Sequence, residues 1–140
     1  MKTVADTNLY IDWLNRRKHE EVLFQRGTVR YLSAVVMMEL SAGAQSVRDR
    51  KLLSALFSAF RRAGRILLPE LSTYRDAGEI LQRLQAKMGY DVTGATSLAN
   101  DVLIALSARS IGATVLTQNR ADFEAIRRLR SFKLVVVSEA

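Results

Sequence analysis

The chain alternates between two textures: short β-prone runs that stop abruptly, and longer segments whose apolar positions recur at helical spacing. Residues 3–6 read as a buried strand that ends at Asp6-Thr7-Asn8. Thr7 or Asn8 is expected to cap a helix carrying Leu9, Trp13 and Leu14, closed by the positive run Arg16-Arg17-Lys18-His19. Val22, Leu23 and Phe24 suggest a short helical piece ended by Gly27, and Val29 to Leu32 a second strand. A helix is expected from Ser33 through Ala44, and between Tyr31 and Val47 its only charge is Glu39. Ser46 to Arg62 continues as an amphipathic helix with Leu52, Leu53, Leu56, Phe57 and Phe60, stopped by Gly64. Ile66 to Leu68 is a third strand ended by Pro69, and Ser72 to Met88 a long helix burying Ile80, Leu81 and Leu84 and terminated by Gly89. After a bend at residues 93–97, Ser97 is expected to cap a nearly all-apolar helix, Leu98 to Ile111, closed by Gly112. Thr114 to Thr117 is a fourth strand, residues 120–129 a short helix, and Leu134 to Val137 a fifth strand. Such alternation predicts an α/β fold: a mostly parallel five-stranded sheet flanked by helices on both faces.

Length and composition narrow the chemistry. At 140 residues the expectation is one domain, residues 1–140, able to bury about two thirds of its unfolded surface. Cysteine is absent, which excludes disulfides, thiolate zinc sites and cysteine nucleophiles, and fits a cytoplasmic protein. His19 is the only histidine, so a serine triad or a histidine-rich zinc site lacks its parts. Any metal would be held by oxygen ligands, which favours magnesium or manganese. No apolar run reaches the roughly 20 residues of a membrane span, and the start of the chain reads as a strand rather than a signal peptide's apolar stretch. Twenty-one Lys and Arg against fourteen Asp and Glu leave a net charge of +7. That surplus suits nucleic acid or an acidic protein partner, although it also serves solubility.

The acids give the function its first outline. In an open α/β sheet ligands bind beyond the carboxyl ends of the strands, which is where Asp6 falls, though an acid there also suits a turn or helix cap. Glu39 in an apolar helix is expensive unless paired, exposed or bound to a cation. Asp101 shares a helical stripe with Ile104, Ala105 and Ala108, so it lies low on a buried face, near a helix start that also favours an acid. Asn119 and Asp122 have the spacing of a cap and its third-position acid, and Thr117 adds a hydroxyl on the same rim. Together these residues offer hard oxygen ligands for Mg²⁺, an ion that needs few protein carboxylates and activates water without histidine.

Four motifs in this order resemble the PIN-domain ribonucleases: Asp6-Thr7-Asn8; Met38-Glu39-Leu40 with Gly43; Asn100-Asp101-Val102-Leu103-Ile104-Ala105; and Thr117-Gln118-Asn119-Arg120-Ala121-Asp122-Phe123. Within that family the chain looks most like the VapC toxins of bacterial and archaeal toxin-antitoxin pairs. The resemblance covers nearly the whole chain and implies a PIN domain with sheet order 3-2-1-4-5. It implies that Asp6 and Asp101 are the principal Mg²⁺ ligands, with Mn²⁺ as a substitute. Glu39 would bind the metal directly or through water, and Asp122 would complete the acidic set. Thr7, Asn8, Thr117 and Asn119 match polar positions that line the site. The implied activity is metal-dependent endoribonucleolysis of RNA. The implied partners are an antitoxin whose C-terminal segment wraps the toxin, and a second copy in a homodimer.

Two other readings compete. One is a PIN-like scaffold that binds RNA or protein without cutting, against which the complete acidic set argues. The other is a receiver-like phosphoryl-transfer domain, which would want an acidic pair near Asp6, whereas residues 1–8 hold one acid. Arg16, Arg17, Lys18, Arg61, Arg62, Arg65, Arg127, Arg128 and Arg130 are candidate phosphate contacts, although helix-end solvation also explains such residues.

Overall fold

The computed structural model describes residues 1–91 and 96–138. β1 (Lys2–Ala5) leads into α1 (Thr7–Arg16) and the short α2 (Glu20–Leu23). β2 (Val29–Ser33) leads into α3 (Ala34–Gly43) and α4 (Val47–Arg62), and β3 (Ile66–Leu67) into α5 (Leu71–Met88) and α6 (Thr96–Ser110). β4 (Thr114–Thr117), α7 (Arg120–Leu129) and β5 (Lys133–Val136) complete the chain. The strands form one sheet in the order β3-β2-β1-β4-β5, with every pair parallel. This is the order expected above, and it differs from the 2-1-3-4-5 order of receiver domains.

Topology places the site. Because β1 is central and its neighbours β2 and β4 lead away in opposite directions, the crevice beyond the ends of β1 and β4 is the switch point where ligands bind. Right-handed crossovers put the helices that follow β1 and β2 on one face and those that follow β3 and β4 on the other. The packing agrees: α1, α3 and α4 touch in sequence, while α5, α6 and α7 touch one another. Ala5 pairs with Leu116, and the ladder extends one residue further as Asp6 N–H donates to the Leu116 carbonyl at 2.8 Å. Asp6 is thereby fixed at the rim by backbone geometry alone.

The core explains the apolar runs. Val4, Leu32 and Val115 from the central strands are fully buried, with Leu9, Ile80, Leu84, Val102, Ile104, Phe123 and Ile126 packed from the helices. Serine caps set two helix starts: Ser33 Oγ accepts from Val35 N–H at 3.1 Å and Ser46 Oγ from Asp49 N–H at 3.0 Å. Gly89 closes α5 at φ 69°, a left-handed conformation that glycine adopts without strain.

Several local expectations are corrected. The cap of α1 is Asp6, whose side chain accepts from Thr7 N–H; Thr7 and Asn8 are the first helical residues. The helix ends at Arg16, with Arg17 in the left-handed region at φ 58° and His19 likewise at φ 66°. Half of the basic run is used structurally. The Arg17 guanidinium stacks 5.2 Å from the Trp13 ring and lies 3.9 Å from Glu20, and His19, its side chain 5% exposed, sits 3.2 Å from Asp12. The third strand stops at Leu67, leaving Leu68 exposed, and the fifth is Lys133–Val136 rather than Leu134–Val137. α5 begins at Leu71 rather than Ser72. α6 spans Thr96–Ser110, so Ser97 lies inside it rather than capping it, and Ile111 lies beyond its end. Residues 93–95 of the expected bend lie outside the described residues. Among the described residues no helix is long and apolar enough to cross a membrane.

Candidate active site

The site is built outward from Asp6, which is 4% exposed. One carboxylate oxygen accepts from Thr7 N–H at 2.8 Å, and the other accepts from the Thr117 hydroxyl at 2.9 Å across the β1-β4 boundary. Thr117 is fully buried, and its Oγ1 also accepts from Asn119 N–H at 2.9 Å. Asn119 caps α7, its side chain accepting from Asp122 N–H at 3.4 Å. Its amide nitrogen donates to Asp122 at 3.0 Å and to Asp101 at 3.4 Å. On the other side of Asp6 the Thr7 hydroxyl donates to Glu39 Oε1 at 2.6 Å. The result is a continuous hydrogen-bonded chain from Glu39 on α3 to Asp122 on α7, in which neutral donors stand between the acids. Asn119 is therefore both the cap of α7 and a link in this network.

Seven of the eight residues singled out by sequence come together here: Asp6, Thr7, Glu39, Asp101, Thr117, Asn119 and Asp122. Asn8 is exposed on the first turn of α1 and takes part in none of these bonds. One participant was not foreseen. The Tyr90 hydroxyl donates to Asp122 Oδ1 at 3.2 Å. Partial burial, the charge of Asp122 and this bond all hold the phenol above its ordinary pKa. Its only sequence mark is a tyrosine just after the helix-ending Gly89, and no local pattern ties it to a residue 32 positions away.

Electrostatically the cluster is strained by like charge. Asp101, 8% exposed, has a pKa pushed up to about 8, first by burial and then by the charges of Asp6, Asp122 and Glu39. Burial also raises Asp6, against the lowering effect of its bonds from Thr117 and Thr7, with the Glu39 charge raising it further. Among the described residues, none of these four acids is ion-paired to Lys, Arg or His. A set of hard carboxylate oxygens lacking a positive partner has the donor chemistry of a divalent-cation site. The acids are not closed around a point, since among the described residues no three His or acid side chains form a group that holds an ion. That spacing is compatible with Mg²⁺, which takes one or two carboxylates and keeps several waters.

Thr117→Val isolates what the hydroxyl does. It would leave a buried Asp6 oxygen and the Asn119 N–H without partners, so it is expected to cost about 1–3 kcal/mol of stability. Urea unfolding measures this, and a midpoint equal to wild type would show that Thr117 does not hold the rim together.

The PIN domain family matches residues 3–129. Among curated protein sequences there is no significant match. Solved structures resemble the chain over nearly its full length. A chain of the DNA-bound VapBC from Salmonella typhimurium is 27% identical with a TM-score of 0.71, covering 97% of this chain and 98% of that one. A chain of VapBC2 from Rickettsia felis, bound to a DNA fragment from its promoter, is 22% identical with a TM-score of 0.71, covering 99% and 100%. A chain of VapBC-5 from Mycobacterium tuberculosis, a member of the VapBC family of toxin-antitoxin systems, is 24% identical with a TM-score of 0.65, covering 97% and 98%. The family match takes in Asp6, Glu39, Asp101 and the Asn119-to-Asp122 turn, and with the sheet order 3-2-1-4-5 it means that this chain belongs to the PIN-domain family.

Proposed function

We propose that the chain is a Mg²⁺-dependent endoribonuclease that hydrolyses phosphodiester bonds of structured RNA, and that it is the toxin of a VapBC-type pair. The observation that carries this reading is the cluster of Asp6, Glu39, Asp101 and Asp122 at the topological switch point, unneutralised by any basic side chain among the described residues. Asp6 and Asp101 would hold the ion, Glu39 directly or through water, and Asp122 would complete the set. A bound Mg²⁺ supplies Lewis acidity toward a phosphate oxygen and lowers the pKa of water. The protein's own part is positioning: Thr117 orients Asp6, Thr7 holds Glu39, and Asn119 fixes Asp101 against Asp122. Mn²⁺ is expected to substitute.

The partner reading rests on the family and on one surface. The structural relatives belong to VapBC complexes, and the chain carries an apolar groove of about 610 Å³ between α3 and α4, lined by Met37, Leu53 and Phe57 and flanked by Arg50 and Arg61. An antitoxin segment with apolar anchors and acidic flanks fits that chemistry. A cytoplasmic homodimer, each copy one PIN domain over residues 1–140, completes the proposal.

The test is cleavage by purified protein freed of any partner. Structured RNA should be cut with Mg²⁺ or Mn²⁺, spared in chelator, and cut again when metal is restored. RNA that is bound but never cut under any metal would instead support the non-cleaving scaffold. RNA affinity should also fall steeply with salt, each lost phosphate contact lowering the log-log slope by about 0.7 for single strands. Since Arg17 is engaged with Trp13 and Glu20, the informative change in that run is Arg16→Gln with Lys18→Gln. An unchanged slope would assign both to solvated surface.

A further inference from the structure

A second concavity adjoins the acids. It encloses about 500 Å³ between the end of α5 and the outer face of α7, and its walls include Met88, Tyr90, Arg120, Glu124 and Arg128. Arg120, Glu124 and Arg128 lie at four-residue intervals and so share one face of α7. Arg120 is exposed and leans on Glu124 at 3.1 Å. Arg128 is exposed, enters no ion pair among the described residues, and is near enough for its charge to act on the Tyr90 hydroxyl. The Tyr90 hydroxyl is thus bonded to Asp122, and the tyrosine lines the groove together with two guanidinium groups.

We propose that this groove binds one unpaired nucleotide of the RNA next to the scissile phosphate, with the base stacked on Tyr90 and its phosphate held by Arg128 and Arg120. The inference rests on the nuclease reading and names the flanking subsite of the same site. An acidic cluster by itself repels a polyanion, so a strand that reaches Asp101 needs cations beside it. An aromatic face beside guanidinium groups is the combination by which proteins hold single-stranded RNA without reading its sequence. The volume lies within the range of small-ligand sites, and one of its walls, Tyr90, is hydrogen-bonded to Asp122 of the acidic cluster. A base inside a duplex presents no free face, so the groove selects loops and ends.

The test measures binding in chelator, where the RNA stays intact, by fluorescence anisotropy of a short labelled single-stranded RNA of mixed sequence and of its duplex form. Tyr90→Ala is expected to weaken single-strand binding by about tenfold and to leave duplex binding unchanged. Tyr90→Phe keeps the ring and is expected to bind as wild type does. Arg128→Gln, an exposed change that leaves the fold alone, is expected to lower the salt slope by about 0.7. Equal weakening by Tyr90→Phe and Tyr90→Ala would overturn stacking, because the phenol's bond to Asp122 would then be what matters. Unchanged affinity for Tyr90→Ala, or an unchanged slope and affinity for Arg128→Gln, would also overturn the proposal. If the alanine variant melts early, the arginine variant alone decides. Wild-type cleavage with Mg²⁺ is measured alongside: cleavage with an inert groove removes only the subsite, whereas neither binding nor cleavage removes the nuclease reading as well.

Discussion

Asp101→Asn is expected to reduce Mg²⁺-dependent RNA cleavage by at least about a hundredfold, since losing even an outer partner of a metal ligand typically costs 10- to 100-fold. The protein should remain folded. Asp101 lies where the fields of Asp6, Asp122 and Glu39 overlap, so its charge is the most expensive to maintain and the most effective at attracting a cation. Asparagine keeps the shape and can donate to the carboxylates around it, but it offers the ion a neutral oxygen. Initial rates over a Mg²⁺ series check this. A variant that cuts at the wild-type rate would remove Asp101 from the chemistry.

The same crowding makes metal-free stability depend on pH. The folded pKa of Asp101, about 8, lies above the unfolded value of 3.8, so between these values the folded state binds more protons than the unfolded one. Stability is therefore greatest below about pH 4 as far as this group is concerned, declines as pH rises, and levels off above about pH 8. At about 1.4 kcal/mol per pKa unit the full effect comes to about 6 kcal/mol, an upper limit for one buried group. Asp6 acts in the same direction, because burial raises its pKa too. Melting curves in chelator from pH 5 to about pH 8 should thus show a falling midpoint in wild type and a flatter profile in Asp101→Asn. Mg²⁺ should reverse the loss at the upper end, contributing about 2.7 kcal/mol at a hundred times its dissociation constant. Asp6→Asn is a less clean probe. Asparagine still caps α1, but Thr117 donates to the oxygen that would become the amide nitrogen, so the network must rearrange. A wild-type midpoint that rises with pH in chelator would show that the acids do not repel one another as described.

What the sequence made legible follows from how local each signal is. The sheet and its order were open to reading because parallel strands are short β-prone runs between helical periods, as Val29 to Leu32 and Thr114 to Thr117 are, and because the motif order matched a family. The acids were legible because a charge inside an apolar run, as at Glu39 and Asp101, conflicts with burial and calls for a reason. Element ends were less so. Whether Asp6, Thr7 or Asn8 caps α1 depends on where β1 stops pairing, and that is set by the carbonyl of Leu116 more than a hundred residues away. The short run after Arg16 hid two left-handed non-glycine residues, Arg17 and His19, stabilised by Trp13, Glu20 and Asp12. Tyr90 was invisible for the same reason: its partner is supplied by packing of α5 against α7. Asn119 carried two readings, cap and site: the structure makes it the cap of α7 and bonds its amide nitrogen to Asp101 and Asp122.

The central claim is that these acids hold the ion that does the cutting, and one titration addresses it most directly. Mg²⁺ is added to metal-depleted wild-type protein, and the rise in melting temperature and the rate of RNA cleavage are followed over the same concentrations. The account predicts that both rise together with one dissociation constant, and that Asp101→Asn loses both responses. Cleavage that persists in chelator, or that saturates at Mg²⁺ concentrations with no effect on melting, would contradict it.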